Sequence, residues 1–371
     1  MRSWKPACRG IIVLCLLFIV FAGTSAWAKA PRIVHIATND GEILNSDITE
    51  SQRLDVPIAA TAFSLTYGPG LGSNQQAKDA FDRAAARWSA VLNDAVTINI
   101  DVDIASMGGG ILGQSLSMMM QGGYNTVRDL VAAGGEPAPS WGYAREAALL
   151  PNLPTGAQFT AYLPDGFSMD GWAWLSKANY RALGGSVTGS DGAITLSSDF
   201  AWDYDTSDGI DGNKYDFEGI AVHEIGHILG FMSEVDYVDM VLSLGLTADD
   251  VWPRPLDLFR FYSVDLNSSG FDFTSTQRDL TPGYPHSFYY GDGSVSMSTG
   301  AFAGDGYQAS HWKDNLDLGI MDPTVAMGEL LEISDNDLIA LDLIGWDAIP
   351  EPTGLCLLAI GAAALLRRRR F

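Results

Sequence analysis

Residues 219–231 read GIAVHEIGHILGF and constrain the fold more than any other stretch of the chain. His223 and His227 are four residues apart, so a helix places them one turn apart on the same face. The apolar residues that recur at helical spacing on the other side are Val222, Ile225 and Leu229. The pattern predicts a buried helix with two histidines on one face, which ends where Gly230 takes a left-handed conformation.

The same stretch carries the residue types of a metal site. Two histidines on one helix face can bind one Zn²⁺, and Glu224 lies beside them as a candidate general base. A catalytic zinc has three protein ligands and one position open to water. The motif therefore predicts a Zn²⁺ cofactor, with His223 and His227 as two ligands and a third ligand elsewhere in the chain.

The residues alone leave the third ligand open. The motif resembles that of the metzincins, in most of which a histidine follows where this chain has Ser233, and a hydroxyl is a poor zinc ligand. His35 lies in a predicted strand near the N-terminus and is interpreted as structural. The remaining candidates are Glu234, Asp236, His286 and His311.

A second segment, which begins ASHWKDNLDLGIMDP at residue 309 and ends ALDLIGWD at residue 347, favours one of these candidates. Together with residues 217–231 it resembles the leishmanolysin family of metzincins, in which a long insertion precedes the third zinc-binding histidine. The resemblance makes His311 the third ligand and Met321 the methionine of the Met-turn beneath the zinc. It implies an α+β, metzincin-like zincin fold with a mixed sheet, an active-site helix and a C-terminal subdomain.

The motif and the resemblance together predict an enzyme, a zinc-dependent endopeptidase that acts on protein or peptide substrates. Glu224 is expected to accept a proton from the attacking water and to pass it to the leaving amine. One alternative is a non-catalytic, zinc-containing surface or matrix protein, but a structural zinc site has no use for a general base. A second alternative is a zinc hydrolase that acts on a non-peptide bond. Leishmanolysins are rich in disulfides and carry a propeptide cysteine, whereas this chain has cysteines only at positions 8, 15 and 356. Latency through a cysteine switch is therefore not expected.

Both ends of the chain carry targeting patterns. Residues 1–28 contain three basic residues, an apolar run and small residues up to AWA, which predicts a cleaved secretory signal peptide. Residues 349–371 contain Pro-Glu-Pro, a short apolar run and four arginines, and resemble the PEP-CTERM sorting signal of Gram-negative bacteria. The resemblance implies transient membrane anchoring, processing by an exosortase-type enzyme, and a final location at the cell surface or in the extracellular matrix.

The net charge of the chain limits the classes of partner that it is expected to bind. The chain has 45 acidic and 22 basic residues, a net charge of −23, and seven of the basic residues lie in the two terminal segments. Such a negative field predicts no nucleic-acid partner and favours solubility outside the cell. The predicted organisation has an N-terminal arm or possible propeptide at 29–60, an N-terminal catalytic subdomain at 61–232 and a C-terminal catalytic subdomain at 233–348.

Local patterns predict several elements of these subdomains. Apolar spacing predicts a helix over residues 73–93 with Ser73 as its N-cap, and alternation predicts a strand over 96–104. A helix is predicted near 125–133, a strand near 193–205, and a last helix that starts after Ser334 and ends at Gly345. Only short strands and turns are predicted between residues 232 and 310.

Overall fold

The computed structural model describes residues 32–35, 61–108, 110–135 and 140–349. Three predicted segments lie outside these residues: the signal peptide, most of the arm at 29–60, and the sorting segment except for its first residue. None of the helices in the described part of the chain has the length and apolar composition needed to span a bilayer.

The described residues form eight α-helices and fourteen strands, joined by turns and short 3₁₀ segments. The helices are α1 (Gln75–Val91), α2 (Tyr124–Ala133), α3 (Tyr143–Leu149), α4 (Lys177–Ala182), α5 (Phe217–Leu229), α6 (Val235–Ser243), α7 (Ser263–Leu266) and α8 (Asp335–Leu343). The strands are β1 (Arg32–His35), β2 (Ala62–Tyr67), β3 (Thr97–Ala105), β4 (Gly113–Ser117), β5 (Met119–Gly123), β6 (Thr160–Leu163), β7 (Trp172–Ser176), β8 (Gly192–Ser197), β9 (Trp202–Asp203), β10 (Tyr215–Asp216), β11 (Arg260–Tyr262), β12 (Arg278–Asp279), β13 (His286–Tyr289) and β14 (Ser294–Met297).

A four-stranded sheet in the order β2-β3-β8-β4 supports the N-terminal part of the molecule. Its first three strands are parallel, and β4 closes the sheet as an antiparallel edge strand. The predicted strand over 96–104 is confirmed as β3, and its inward residues Ile98, Ile100 and Val102 are buried. Helix α5 packs against β4 and β8, so the two histidines of the motif lie close to the sheet edge.

Helix α1 fixes the position of α5. The predicted helix is confirmed, with Phe81 and Trp88 fully buried, and the Trp88 indole donates a hydrogen bond to the Val222 carbonyl of α5 at 2.9 Å. The predicted N-cap was wrong by one residue. Asn74 rather than Ser73 caps the helix, because the Asn74 side chain accepts a hydrogen bond from the backbone N–H of Ala77.

A six-stranded mixed sheet in the order β1-β6-β12-β11-β13-β14 supports the rest of the molecule. Strand β6 precedes the predicted subdomain boundary at 232, yet it pairs in parallel with β12, which follows that boundary. Two-stranded sheets, one of β5 with β7 and one of β9 with β10, complete the architecture. Helices and mixed sheets together place the fold in the α+β class.

The prediction of only short strands and turns over 232–310 was wrong, because two helices, the one-turn α7 and the longer α6, lie in this range. The first residue of α6, Val235, is buried together with Val238 and Val241, which recur at helical spacing. β-branched residues and a length of nine residues make this helix weak in isolation, so its burial against the core stabilises it.

The other predicted elements are confirmed with adjusted boundaries. Helix α2 coincides with the predicted helix near 125–133, whereas the predicted strand over 193–205 is interrupted between β8 and β9. Ser334 caps α8 as predicted, in a capping box with Asp337, and Gly345 follows the helix with a φ of 109°. Gly230 ends α5 as predicted, with a φ of 117°.

We predict that Gly230→Ala destabilises the protein more than Gly245→Ala does. The φ of 117° at Gly230 is one that residues with a Cβ rarely adopt, and the new Cβ would lie 3.3 Å from the Cβ of Asn179. Gly245 has a φ of 69° and no heavy atom within 4 Å of an added Cβ. Urea unfolding should show a loss of about 2–3 kcal/mol for Gly230→Ala and about 1 kcal/mol for Gly245→Ala. Equal losses would contradict this explanation.

Candidate metal centre

Helix α5, which carries the two histidines of the motif, is held in place by an N-terminal cap and by burial. The Asp216 side chain caps the helix by accepting a hydrogen bond from the Gly219 N–H at 2.8 Å. The helix is buried on most of its surface, as its high apolar content requires. His223 and His227 are the two residues of the helix that are not fully buried.

The structure brings His311 to the same point from a loop that follows β14. The Nε2 atoms of His223, His227 and His311 lie 3.2 Å apart in each of the three pairs. Among the described residues, they are the only group of three or more histidine, cysteine or acidic side chains placed to hold one metal ion. The three predicted ligands thus lie together, although 84 positions separate His227 from His311.

The other ring nitrogen of each histidine has a backbone carbonyl partner. Nδ1 of His223 contacts the Ile320 oxygen at 2.7 Å, Nδ1 of His227 the Phe231 oxygen at 2.9 Å, and Nδ1 of His311 the Gln308 oxygen at 3.1 Å. A carbonyl can only accept, so each Nδ1 carries the hydrogen and each Nε2 presents a lone pair. Three lone pairs that converge in this way repel one another unless a cation lies between them.

The protonation state of the three rings suits metal binding. Burial and, to a smaller extent, a neighbouring histidine lower the pKa of His223, His227 and His311 to about 3. All three rings are therefore neutral near pH 7, as a metal ligand must be.

The spacing of the donor atoms fits zinc. Tetrahedral coordination with Zn–N distances of about 2.0–2.1 Å places ligand nitrogens about 3.3–3.4 Å apart, close to the observed 3.2 Å. In the described part of the chain the cluster has three imidazole donors and no fourth protein ligand, which matches a site that keeps one position for water or substrate.

The other candidates for the third ligand have different partners. Glu234 forms an ion pair with Arg254 at 2.9 Å, and Asp236 accepts hydrogen bonds from the residues that precede His311. His286 lies in the six-stranded sheet, where its Nε2 donates to the Thr281 carbonyl at 2.8 Å and lies 3.2 Å from an oxygen of Asp279. None of these three side chains belongs to the histidine cluster.

Glu224 follows His223 on α5, and its carboxylate lies against the edge strand β4. Its side chain is only 7% exposed, and burial raises the pKa of its carboxyl to about 7, against the opposing effect of a hydrogen bond with Ser115. A divalent cation nearby would oppose this increase. A Cβ added to Gly113 of β4 would lie 2.7 Å from Leu196 Cδ2 and 2.8 Å from a Glu224 carboxylate oxygen, so a larger residue here would require these side chains to shift. No local sequence pattern indicates that Gly113 and Ser115 contact Glu224.

Met321 packs beneath α5 at the level of the histidines. It is 1% exposed, and its sulfur would lie 2.4 Å from a Cβ added to Gly226, the helix residue next to His227. The Met321 carbonyl accepts the N–H of Trp312, which directly follows His311, at 2.9 Å. The methionine segment is thus tied both to the helix and to the His311 loop.

Asp337 of α8 holds this segment in place, and sequence analysis missed it. The buried Asp337 carboxylate accepts hydrogen bonds from the Trp312 indole at 2.7 Å and from the Ile320 N–H at 2.8 Å. The Ile320 carbonyl is in turn the partner of His223. The D-x-D pattern after Ser334 was available in the sequence, but it indicated only a helix cap.

Comparison with known proteins gave no match of the chain to any family model, curated protein or solved structure. Function is therefore inferred from the histidine cluster and its surroundings.

We predict that His311→Ala abolishes stoichiometric zinc binding, because two imidazoles on one helix leave the site with too few protein ligands. His286→Gln is the matched control, since His286 lies outside the cluster. Zinc content after dialysis, measured by mass spectrometry, should fall only in His311→Ala. Full zinc content in that variant would exclude His311 as a ligand.

We predict that Met321 contributes to the site by packing and not as a ligand. Met321→Leu conserves volume and should cost less than about 1.5 kcal/mol of unfolding free energy, whereas Met321→Ala should cost about 2–5 kcal/mol. Both folded variants should still bind one zinc. Loss of zinc from a stably folded Met321→Leu variant would contradict this role.

Proposed function

We propose that this protein is a zinc-dependent endopeptidase with a metzincin-like architecture. The observation that carries the proposal is the convergence of three imidazole Nε2 atoms at 3.2 Å, with each Nδ1 fixed by a backbone carbonyl. Glu224, the residue after His223 on the same helix, supplies a buried carboxylate. Three neutral ligands and an adjacent carboxylate are the parts needed for metal-assisted hydrolysis.

The proposed chemistry divides between the metal and Glu224. Bound zinc would polarise the substrate carbonyl and lower the pKa of a water molecule. Glu224 would accept the proton that this water loses as it attacks the carbonyl carbon, and would then donate it to the leaving nitrogen. The low exposure of Glu224 keeps bulk water from competing for that proton. No covalent intermediate between enzyme and substrate is required.

The edge strand β4 offers a place for a peptide substrate. It is the last strand in its sheet, and its Gly113 approaches the Glu224 carboxylate closely. An extended peptide that paired with the free edge of β4 would pass beside the histidine cluster. This geometry favours a polypeptide substrate over a compact small molecule.

The position of Met321 also supports a metzincin-like site of the leishmanolysin type. The proposed third ligand comes from a distant segment, and a buried methionine ten residues after it packs against the motif helix. The subdomain division at residue 232 would place the active-site cleft between the N-terminal and C-terminal subdomains. The absence of cysteines from residues 29–349 departs from leishmanolysins and requires a different basis for stability.

We further propose that the enzyme acts outside the cell. This rests on the sequence alone: the signal-peptide pattern at 1–28 and the PEP-CTERM-like segment at 349–371. The segment would anchor the chain transiently until an exosortase-type enzyme processed it, and the acidic enzyme would then act at the cell surface or in the extracellular matrix.

We predict that Glu224→Gln abolishes proteolysis but leaves zinc binding intact. The substitution keeps the shape of the side chain and removes its ability to accept a proton, and general-base loss typically costs about 10²–10⁴-fold in rate. Casein hydrolysis and zinc content should be measured on the wild type and on Glu224→Gln, with Glu218→Gln as a control on the same helix. Glu218 pairs with Arg83 at 2.7 Å, away from the histidines.

Two results would contradict the proposed function. Hydrolysis that persists in Glu224→Gln would remove the general base from the mechanism. A wild-type protein that binds zinc through the three histidines yet cleaves no peptide would favour the non-catalytic surface protein.

A further inference from the structure

The segment directly after the motif helix holds the loop that carries the proposed third ligand. This segment, residues 232–236, reads MSEVD and contains three positions considered above as zinc ligands, Ser233, Glu234 and Asp236. The side chains of Glu234 and Asp236 do not belong to the histidine cluster. The Asp236 carboxylate and the Ser233 backbone N–H both bind Ser310, the residue immediately before His311.

Asp236 binds the backbone on the N-terminal side of His311. Its carboxylate accepts the N–H of Ala309 at 2.5 Å and the N–H of Ser310 at 3.2 Å, and it also accepts the Ser310 hydroxyl. Hydrogen bonds to a charged acceptor are roughly twice as strong as neutral ones. Three of them on two adjacent residues fix both the position and the direction of the chain that enters His311.

Ser233 completes this attachment from the end of the motif helix. Its backbone N–H donates to the Ser310 hydroxyl oxygen at 2.8 Å, and its own hydroxyl donates to Asp257 at 2.6 Å. Ser233 is fully buried, so these bonds are shielded from water. On the other side of the loop, the Arg260 guanidinium donates to the Ala309 carbonyl at 3.0 Å.

His311 depends on this attachment more than the other two histidines do. His223 and His227 are fixed by the backbone of α5, whereas His311 lies in a loop and its Nδ1 contacts the carbonyl of Gln308 in that same loop. The orientation of the His311 ring therefore depends on how firmly the loop itself is held. A loop that shifted by about 1 Å would remove one of three donors from coordinating distance.

We propose that Asp236 is a positioning residue for the third metal ligand, acting through Ser310 and supported by Ser233. In a short zinc motif the third histidine would stand at position 233. In this chain the residues at and after that position instead hold the loop that carries the distant His311. The motif helix and the His311 loop are thereby locked together across 73 positions of sequence. This inference rests on the proposed metal centre and concerns how its third ligand is held.

Asp239 provides a matched control on the same helix. Its buried carboxylate also accepts two backbone N–H groups, from Phe302 and Ala303, both at 2.8 Å. Asp236 and Asp239 thus differ mainly in which part of the loop they hold. Asp239→Asn should reproduce the general cost of losing a buried carboxylate without reaching His311.

The test compares zinc affinity and cobalt spectra in the full-length protein. Chelator competition should show that Asp236→Asn weakens zinc binding by about 10- to 100-fold, the usual effect of losing an outer-shell partner. Asp239→Asn should stay within about twofold of the wild type, as expected for a distant site. The visible d–d bands of bound Co²⁺, which report ligand geometry, should change in Asp236→Asn and not in Asp239→Asn.

Ser310→Ala removes the hydroxyl that joins Asp236 to Ser233 but keeps the hydrogen bond from the Ala309 N–H to Asp236. This variant provides the test if Asp236→Asn fails to fold. It should weaken zinc binding in the same direction and alter the Co²⁺ bands. Wild-type affinity and bands in Asp236→Asn or in Ser310→Ala, or an equal loss in Asp239→Asn, would overturn the positioning role. A wild-type protein that binds no zinc would overturn the metal centre itself and this inference with it.

Discussion

The arrangement of this molecule depends on three imidazole nitrogens held at 3.2 Å from one another with their lone pairs directed inwards. Backbone carbonyls fix the tautomer of each ring, so no ring can relieve the repulsion by donating a hydrogen to another. A cation removes this repulsion and turns it into attraction. The fold around the cluster can be understood as the support that keeps these donors in place.

Buried carboxylates provide much of that support. Asp216 caps the motif helix, Asp236 binds the backbone before His311, and Asp337 binds the segment that contains Ile320 and Met321. Each accepts backbone N–H groups that no regular secondary structure satisfies, and a buried N–H left without a partner is costly. Residues 29–349 contain no cysteine and so no disulfide. Hydrogen bonds from backbone N–H groups to these carboxylates therefore hold the loops against the helices.

Local sequence patterns predicted a large part of this structure. Periodicity and capping residues identified α1, β3, α5 and α8, and the left-handed Gly230 was recognisable as the end of the motif helix. The placement of His311 beside the motif histidines was expected only from resemblance, because nothing in its local sequence specifies a partner 84 residues away. Its role as a ligand stays a prediction.

The features that sequence reasoning missed are those that depend on distant pairing. The Asp236 carboxylate meets Ala309, and the Glu224 carboxylate meets Gly113, only after the chain has folded. The short helix α6 was missed because its β-branched residues have weak helical propensity, and tertiary packing decides its conformation. Strand β6 joins the six-stranded sheet by pairing with β12, more than one hundred residues later, which no local pattern encodes.

X-ray absorption fine structure of the zinc-loaded protein tests the central claim most directly, because it reports the number, type and distance of the metal ligands. The three-histidine site predicts three imidazole nitrogens at about 2.0–2.1 Å and one further light-atom ligand from solvent. A shell with two imidazoles and carboxylate oxygens, or one closed by a fourth protein ligand, would contradict the account.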